Sequence, residues 1–331
     1  MSELRLDPLS DEWITIASRR IARPVTDARA FCPFCPVPPG AAAEAVEASE
    51  APRGDHEAAV FQNRFPSYGG AEDGAGAPPE AAAGGQRTAP GRGRCEVVLY
   101  SPRHDVHLTT IPEAGVRLLV DVWAARTAAL QADPAVAYVF VFENRGRDVG
   151  QTIDHPHGQI YGYPFVPPRI GREVERFRTF RRDEGECLQC ELLRREERAG
   201  LRLVDAEGSW SAFVPFAPHF PFELHLVPRR HVGGLPALHV GERAEFAALL
   251  RRSVGRYERM HPEPVPYMLC VMGAPHGLPE PDLWHLRVVF QPVGRAPGRL
   301  KYLAGSESGA GAFLQDATPE AMARALREVR Q

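Results

Sequence analysis

The sequence predicts an α+β fold that is built from two similar halves. Segments rich in branched and aromatic residues, which are typical of strands, alternate with longer segments whose apolar residues recur at helical spacing. The segment "EVVLYSPRH" at 96–104 lies without a gap over "ELHLVPRRH" at 223–231. Each half also contains a Cys-x-x-Cys pair that is followed by two distant histidines. The chain is therefore predicted to repeat one structural unit.

Several strands and one helix are predicted in the first half. "AAVFQNRFPSY" predicts a short strand and a turn, and "CEVVLYSPRH" and "AVAYVFVFENRG" predict two longer strands. Between these two, "AGVRLLVDVWAARTAALQA" predicts an amphipathic helix. "TIDHPHGQIY" at 152–161 is predicted as a further strand. The stretches at 37–59 and 70–94 are rich in Ala, Gly, Pro and Glu and are predicted to be surface loops.

The second half repeats this pattern. "SWSAFVPFAP", "FELHLVPRRH", "PYMLCVMGAP" and "LWHLRVVFQPV" are predicted as strands, and "GERAEFAALLRRSVGRYERM" as a helix. The tail "TPEAMARALREVR" is predicted as a helix, with Thr318 as its N-cap and Pro319 at its first position. Each half thus runs from a strand through a helix to two more strands, and the last strand of each half carries a histidine.

Length, charge and hydropathy exclude several classes of function. The 331 residues suffice for two domains, which we predict at 1–180 and 181–331. A net charge of −3 gives no general attraction to nucleic acid or to an anionic membrane. No apolar run approaches the length of a membrane span, and the N-terminal "MSELRLDPLSDEWITIASRR" lacks the apolar stretch of a signal peptide. A soluble, cytoplasmic protein is expected.

Four of the six cysteines form two Cys-x-x-Cys pairs, and each pair predicts a metal site. The two ligand sets are Cys32, Cys35, His104 and His155 in the first half, and Cys187, Cys190, His231 and His285 in the second. Two thiolates and two imidazoles suit tetrahedral zinc, and a closed set of four protein ligands leaves no position for substrate. We therefore predict two structural zinc ions per chain. Alternatively, the cysteines are small buried residues or redox pairs.

His157 is predicted to have a different task from His155. Residues two apart in a strand face the same side, so His157 would stand beside a metal ligand without binding the metal. When His155 is superposed on His285, Arg287 falls opposite His157, so this second histidine occurs once per chain. A neutral imidazole attacks phosphorus well and forms a labile phosphoramidate, which would divide a group transfer into two steps. The alternative is a histidine that is simply buried in the core.

Four motifs in a fixed order carry a resemblance to a known family. "FCPFC", "SPRH", "FENRG" and "HPHGQI" resemble the galactose-1-phosphate uridylyltransferase family of the histidine-triad superfamily, and "HPHGQ" after "FEN" is highly specific for it. The resemblance runs from "DPLSDEWITIASRRIARP" to "GRLKYLAGSE". It implies two fused histidine-triad-like halves, each an antiparallel sheet with packed helices. It also implies that His157 becomes uridylylated and that Gln159 contacts the phosphate of the intermediate.

The resemblance also implies a set of substrate contacts. Matching positions are Arg20 and Arg23 for phosphate, Asn63, Phe65 and Asn144 for uridine, Thr152 in place of a family serine, and Lys301, Glu307 and Gln315 for the hexose phosphate. In the family, the hexose-phosphate segment reaches the active site of a second subunit. A homodimer is therefore implied.

Departures from the family pattern bear on the metal and on the nucleotide. Some bacterial relatives bind iron in the second half through a glutamate and a run of histidines. Here "WHLRVVF" keeps only His285 of that run, and Glu173, at the position of the glutamate, is assigned no metal. The "CLQC" pair resembles the two-zinc relatives, which include the plant ADP-glucose phosphorylase. That branch has a serine between the two histidines, whereas Pro156 together with Glu143 of "FEN" favours the uridylyltransferase.

The predicted reaction is UDP-glucose + galactose 1-phosphate ⇌ glucose 1-phosphate + UDP-galactose, catalysed by a nucleotidyltransferase. One alternative is an ADP-glucose phosphorylase or a related nucleotidylyltransferase. Another is a hydrolase of the same superfamily, which would need no second sugar-phosphate site. A third is a zinc-stabilised binding protein without catalysis, which would never carry a covalent nucleotide.

Overall fold

One antiparallel sheet of nine strands runs through both halves of the chain. The computed structural model describes residues 2–18, 32–36, 57–69, 86–280 and 282–329. The strands of the first half are β1 (Glu3–Asp7), β2 (Glu12–Ile16), β3 (Ala59–Gln62), β4 (Thr88–Pro90), β5 (Arg94–Leu99), β6 (Tyr138–Arg145) and β7 (His157–Tyr163). Those of the second half are β8 (Leu203–Glu207), β9 (Trp210–Phe213), β10 (Leu224–Pro228), β11 (Tyr267–Met272), β12 (Arg287–Pro292), β13 (Gly294–Ala296) and β14 (Arg299–Leu300). The α-helices in the described residues are α1 (Glu113–Gln131), α2 (Pro168–Glu184), α3 (Leu188–Ala199), α4 (Val240–Met260) and α5 (Pro319–Glu328).

The strand order of the large sheet reveals the internal repeat. It runs β3-β5-β7-β6-β11-β12-β10-β9-β8, so the order β5-β7-β6 is mirrored by β11-β12-β10. Strands β6 and β11 meet in the middle, where Tyr267 pairs with Arg145 and Val271 pairs with Val141. A three-stranded sheet, β2-β1-β4, and the β13-β14 hairpin complete the pairing among the described residues. The predicted α+β fold of two related halves is confirmed.

Helices α1 and α4 cover one face of the large sheet and form the main core with it. Trp123 of α1 and Phe246 of α4 are fully buried, and Phe246 stacks on Trp210 with ring centroids 4.7 Å apart. Burial of this apolar surface is the main driving force for joining the two halves. The other face of the sheet carries His157 and is partly covered by α2, whose Phe177 stacks on Trp284 at 5.1 Å.

Most predicted elements are confirmed, including the helix at the C-terminus. Thr318 caps α5 as predicted, because its hydroxyl accepts a hydrogen bond from the Ala321 N–H at 3.3 Å, and Pro319 is the first residue of the helix. Helices α2 and α3 were not predicted. Their surfaces are mostly Arg and Glu, and α2 buries only Ile170, Val174 and Phe177, so the apolar stripe is narrow.

Several predicted boundaries are wrong; for example, "CEVVLYSPRH" is a strand only to Leu99 and "LWHLRVVFQPV" only from Arg287. "TIDHPHGQIY" becomes a strand only at His157, because the side chain of Gln151 shapes the preceding residues into a loop. Its Oε1 accepts from the Gly146 N–H at 2.6 Å, and its Nε2 donates to the Ile153 carbonyl at 3.0 Å. The predicted loop at 70–94 contains β4, which pairs with β1 at the edge of the small sheet, where proline is tolerated.

The gap-free superposition of the two halves is shifted by one residue within the strands. It places Val98 opposite His225, yet Val98 packs in the main core together with Leu224 and Leu226. Side chains alternate along a strand, so His225 lies on the opposite face from its two neighbours. The superposition therefore brings the metal-site histidines into register but not the faces of the strands before them.

The predicted division into domains stays a prediction. Its boundary, between residues 180 and 181, falls inside α2 (Pro168–Glu184), and the large sheet contains strands from both sides of it. None of the helices in the described ranges is both long enough and apolar enough to cross a membrane.

Candidate active site and metal centres

The four predicted ligands of the first half lie together beside the start of β7. Cys35 Sγ is 3.5 Å from Nδ1 of both His104 and His155, and Cys32 Sγ is 3.8 Å from Nδ1 of His155. All four ligand atoms lie within 4.8 Å of one another. Zinc–sulfur and zinc–nitrogen bonds in a tetrahedral site separate sulfur from nitrogen by about 3.5 Å. The donor set and its spacing are consistent with zinc.

The second half forms an equivalent group. Cys190 Sγ lies 3.4 Å from Nδ1 of His231 and 3.3 Å from Nδ1 of His285, and Cys187 completes the set within the same 4.8 Å. Cys187 is the N-cap residue of α3 and Cys190 lies in its first turn, so this helix holds both thiols. Glu173 is not part of the group, because it pairs with Arg287 and, at 3.3 Å, with Arg169.

In both groups, a backbone carbonyl orients a histidine ring so that its Nδ1 faces the thiols. The Nε2–H of His155 donates to the Ser101 carbonyl at 2.8 Å, and that of His285 donates to the Pro228 carbonyl at 2.9 Å. A carbonyl only accepts, so Nε2 carries the hydrogen and Nδ1 presents its lone pair to the thiols. Hydrogen bonds of this kind are typical of imidazoles that bind metal.

A nearby cation would favour ionisation of the thiols in both groups. Burial raises the pKa of the Cys32 thiol to about 12. In the second group, the hydrogen bond between the two thiols is the largest cause that lowers the pKa of Cys187 and raises that of Cys190. A divalent metal ion would supply the positive charge that allows both thiols of a pair to ionise.

His157 stands next to the first group and is held in one tautomer. It is the first residue of β7, is 8% exposed, and its Nδ1 lies 2.8 Å from the His155 carbonyl. A carbonyl only accepts, so Nδ1 donates in that bond, and in the neutral ring the lone pair lies on Nε2. The Phe34 ring, from between the two cysteines, packs edge-on against His157 at 5.1 Å and His155 at 6.2 Å.

Gln159 and Asn144 share the sheet face of His157. Gln159 is two residues further along β7, and it pairs with Phe142 of β6 and Val97 of β5. Asn144 follows Phe142 by two residues, so its side chain points to the same side. Both are half-buried. An imidazole and two amides therefore project from adjacent strands on one face.

Of the remaining candidates for substrate contacts, Asn63 and Phe65 lie in the turn after β3. The Asn63 N–H donates to the Cys95 carbonyl at 2.8 Å, and Asn63 Oδ1 accepts from the Phe65 N–H at 2.8 Å, which forms a turn after β3. Strand β3 is separated from β7 by β5 alone. Thr152 is exposed in the loop before β7. Arg20 and Arg23 lie outside the described residues.

The hexose-phosphate candidates are not brought together with His157 within one chain. Lys301 and Glu307 form a buried ion pair at 2.7 Å, and Lys301 also donates to the Leu314 carbonyl at 2.8 Å. Gln315 donates through Nε2 to the Pro218 carbonyl at 3.1 Å. These bonds fix the segment 301–315 beyond β12, which β6 and β11 separate from β7.

Sequence reasoning missed three kinds of contact. The carbonyls that orient the metal-site histidines have no sequence signal, since any residue supplies one. Phe34 is visible in "FCPFC", but its packing on His157 depends on the fold. The pairing of Arg287 with Glu173 was not predicted. Burial raises the pKa of Glu173, but the charges of Arg287 and Arg169 outweigh it and hold the pKa below its usual value.

The relatives of the chain define an enzyme of the nucleotidyltransferase class and specify its family. Residues 1–167 match the N-terminal domain, and residues 173–331 the C-terminal domain, of galactose-1-phosphate uridyl transferase. A galactose-1-phosphate uridylyltransferase of Thermotoga maritima is 36% identical over 99% of this chain and 98% of its own length. One of Rattus norvegicus is 31% identical over 98% of this chain and 86% of its own. The chain belongs to the galactose-1-phosphate uridylyltransferase family.

Structural comparison agrees with the sequence. A solved "Structure of uridylyltransferase" superposes with a TM-score of 0.86 at 31% identity and covers 99% of this chain and 98% of that one. The family also has a branch with another substrate. An ADP-glucose phosphorylase of Arabidopsis thaliana is 26% identical over 99% of this chain and 93% of its own length.

Proposed function

We propose that the chain transfers uridylyl groups from UDP-glucose to galactose 1-phosphate by a ping-pong mechanism with His157 as the nucleophile. The observation that carries the proposal is the hydrogen bond from His157 Nδ1 to the His155 carbonyl at 2.8 Å, which in the neutral ring places the lone pair on Nε2. The uridylyltransferases of Thermotoga maritima and Rattus norvegicus support the choice of substrates. Galactose metabolism in the cytoplasm is the proposed setting.

The two half-reactions use the same nitrogen. The Nε2 lone pair of His157 attacks the α-phosphorus of UDP-glucose, the phosphorus–oxygen bond to glucose 1-phosphate breaks, and that oxygen leaves with the electron pair. A phosphate oxygen of galactose 1-phosphate then attacks the same phosphorus, and the bond to Nε2 breaks. The ring becomes positive while it carries the uridylyl group, and the His155 carbonyl stabilises that charge through Nδ1–H.

The other site residues are proposed to bind the two substrates. Gln159 donates its amide to the phosphate, and the proposed contacts to nucleotide and phosphate are Arg20, Arg23, Asn63, Phe65, Asn144 and Thr152. The segment of Lys301, Glu307 and Gln315 serves the active site of a second copy in a homodimer. The Lys301–Glu307 ion pair and the bond from Lys301 to the Leu314 carbonyl hold this segment in one shape.

Both Cys₂His₂ groups are proposed to hold structural zinc. Each has four protein ligands, so no position remains for a substrate or an activated water. The first group would fix the "FCPFC" turn and the loop before β7, and the second would fix α3 to the start of β12.

The first prediction is that the protein forms a covalent adduct with UDP-glucose. Intact-mass spectrometry after incubation without acceptor should show a mass increase of one uridylyl group, and galactose 1-phosphate should remove it. His157→Gly should form no adduct and lose turnover while keeping the fold, since the imidazole is the attacked group. Added imidazole should partly restore transfer through the vacated space.

Each alternative function gives a different result in that experiment. An adenylyl adduct from ADP-glucose, with none from UDP-glucose, would indicate the phosphorylase reaction of the Arabidopsis thaliana relative. Loss of the uridylyl group to water at full speed without galactose 1-phosphate would indicate a hydrolase. Absence of any adduct together with normal turnover would contradict the covalent mechanism.

The second prediction concerns Gln159. In Gln159→Arg, a cation would hold the phosphate of the intermediate through charge-assisted bonds, and the longer side chain would displace it from in-line geometry. A displacement of about 1 Å can lower a rate on the order of 10²-fold. The variant should form or retain the adduct but turn over slowly, as measured by mass spectrometry at stopped times. Normal turnover without adduct would show that residue 159 does not contact the phosphate.

The third prediction is that metal analysis finds two zinc ions per chain. Cys187→Ala or His231→Ala should lower the free energy of unfolding by roughly 4 kcal/mol or more, because loss of a structural metal is among the largest single-site effects. The rate of adduct formation should change little in the folded fraction, because β6 and β11 separate this group from β7. Fewer than one zinc per chain, or iron as the main metal, would overturn the assignment.

A further inference from the structure

A tyrosine and a glutamate meet behind the strand that carries His157. Tyr100 directly follows β5, Glu143 lies on β6, and both side chains are buried. The Tyr100 hydroxyl donates to Glu143 Oε2 at 3.2 Å. Strand β7 lies between β5 and β6 in the sheet. The hydrogen bond therefore links the two strands that flank β7, and it passes across β7 itself.

Gly158 makes room for this link. A Cβ at position 158 would lie 2.4 Å from the Tyr100 hydroxyl oxygen and 3.1 Å from the Phe142 carbonyl oxygen. Any side chain there would push Tyr100 away, so the glycine of "HPHGQ" is required by the contact. The Tyr100 N–H also donates to the Pro156 carbonyl at 3.1 Å. Tyr100 thus touches the residues on both sides of His157.

The contact comes from the face opposite the imidazole. Gly158 alternates with His157 and Gln159, so the Tyr100 ring packs beneath the strand and leaves the substrate face clear. Tyr100 also packs on Trp123 of α1, with ring centroids 6.1 Å apart. The helix supports the tyrosine, the tyrosine supports the backbone of 156–158, and this backbone carries the nucleophile.

A buried glutamate is energetically unfavourable as a purely structural partner of Tyr100. Burial raises the pKa of its carboxyl to about 7, whereas the charge of Arg145 and the Tyr100 hydroxyl lower it and the charge of Glu258 raises it. Burial, and next the charge of Glu143, raise the pKa of the Tyr267 hydroxyl on β11. An apolar pair of similar size would usually be as stable as a buried ionisable one.

The two charged residues near Glu143, Arg145 and Glu258, each have a further hydrogen-bond partner. Arg145 Nη2 lies 2.6 Å from His107 Nδ1, and Thr109 donates to Glu258 at 2.5 Å. Among the described residues, none of these groups belongs to either Cys₂His₂ group. The polar cluster therefore has no assigned task in binding or in chemistry.

We propose that Tyr100 and Glu143 form a positioning pair that fixes residues 156–158, and thereby the His157 imidazole, in the geometry for in-line attack. The inference rests on the proposed role of His157 as nucleophile. Neither residue touches the reacting atoms, so their effect is expected on the rate of attack and not on nucleotide affinity.

The fourth prediction compares two tyrosines. Tyr100→Phe should lower the single-turnover rate of adduct formation with UDP-glucose by about 10- to 100-fold, because loss of the hydroxyl lets the strand shift. The dissociation constant for UDP-glucose should stay within about twofold, since no substrate contact is removed. Tyr257→Phe is the matched control, because Tyr257 is equally buried and also loses one hydrogen bond, to the Phe222 carbonyl at 2.9 Å.

The control separates positioning from general stability. Tyr257→Phe should lower the melting temperature to a similar extent and leave the rate of adduct formation unchanged. Equal rates for Tyr100→Phe and wild type, or equal losses in both variants, would overturn the positioning role. If the wild type itself forms no adduct, the proposed nucleophile fails instead, so the two failures are distinguishable.

The fifth prediction concerns Glu143. Glu143→Gln still accepts from the Tyr100 hydroxyl and should keep most of the rate, whereas Glu143→Leu should lose as much as Tyr100→Phe.

The folded protein holds the Glu143 proton more tightly than the unfolded chain, so its contribution to stability is full below about pH 4.5 and is lost as the pH rises through 7.

Glu143→Gln should remove this dependence. With zinc in excess, its free energy of unfolding relative to wild type should rise between about pH 5 and 7 and then level off, as measured by urea denaturation. A difference that is constant with pH would contradict a buried, protonated carboxyl at this position. Equal adduct rates for the glutamine and leucine variants would contradict the hydrogen bond to Tyr100 as the source of positioning.

Discussion

The hydrogen bond from His157 to the backbone of His155 links the proposed nucleophile to the first Cys₂His₂ group. His155 contributes its side chain to the Cys₂His₂ cluster and its carbonyl to the neighbouring imidazole. A metal ion that fixes the side chain of His155 would therefore also fix the acceptor that sets the tautomer of His157. Phe34 adds a second connection, because it projects from the Cys-x-x-Cys turn onto both rings. A metal ion with four protein ligands and no open coordination position could in this way influence a reaction in which it takes no direct part.

The second half shows the same scaffold without a counterpart of His157. Arg287 occupies the position that corresponds to His157, is buried, and pairs with Glu173 from α2. That ion pair, together with the stacking of Phe177 on Trp284, anchors α2 to the sheet. The Cys₂His₂ arrangement is retained in both halves, including the carbonyl bond to the second histidine. One half thus keeps the scaffold for support, and the other adds a histidine beside it, His157.

The sequence determines some of these features strongly and others hardly at all. Helices α1 and α4 were predicted because their apolar residues repeat at helical spacing, and the ligand sets were predicted because the Cys and His spacing recurs. Helices α2 and α3 were missed because each buries few side chains on a charged surface. The sequence did not show that the superposition of the two halves is shifted by one residue at Val98 and His225. Side chains alternate between the two faces of both strands, and only the pairing of the strands fixes which face turns to the core. Contacts such as Tyr100 beneath Gly158 join strands distant in sequence and follow only from the strand order.

The central pairing of β6 with β11 has a consequence for synthesis of the chain on the ribosome. Strand β6, "YVFVFENR", is complete long before β11 emerges, since residues 146–266 separate them. Until then one edge of an apolar strand has unpaired N–H and C=O groups, which is the condition that favours association between nascent chains. Pairings between such distant segments also form slowly, because a long loop must close first. The incomplete first half therefore exposes an apolar strand edge during synthesis, which is a condition that favours aggregation.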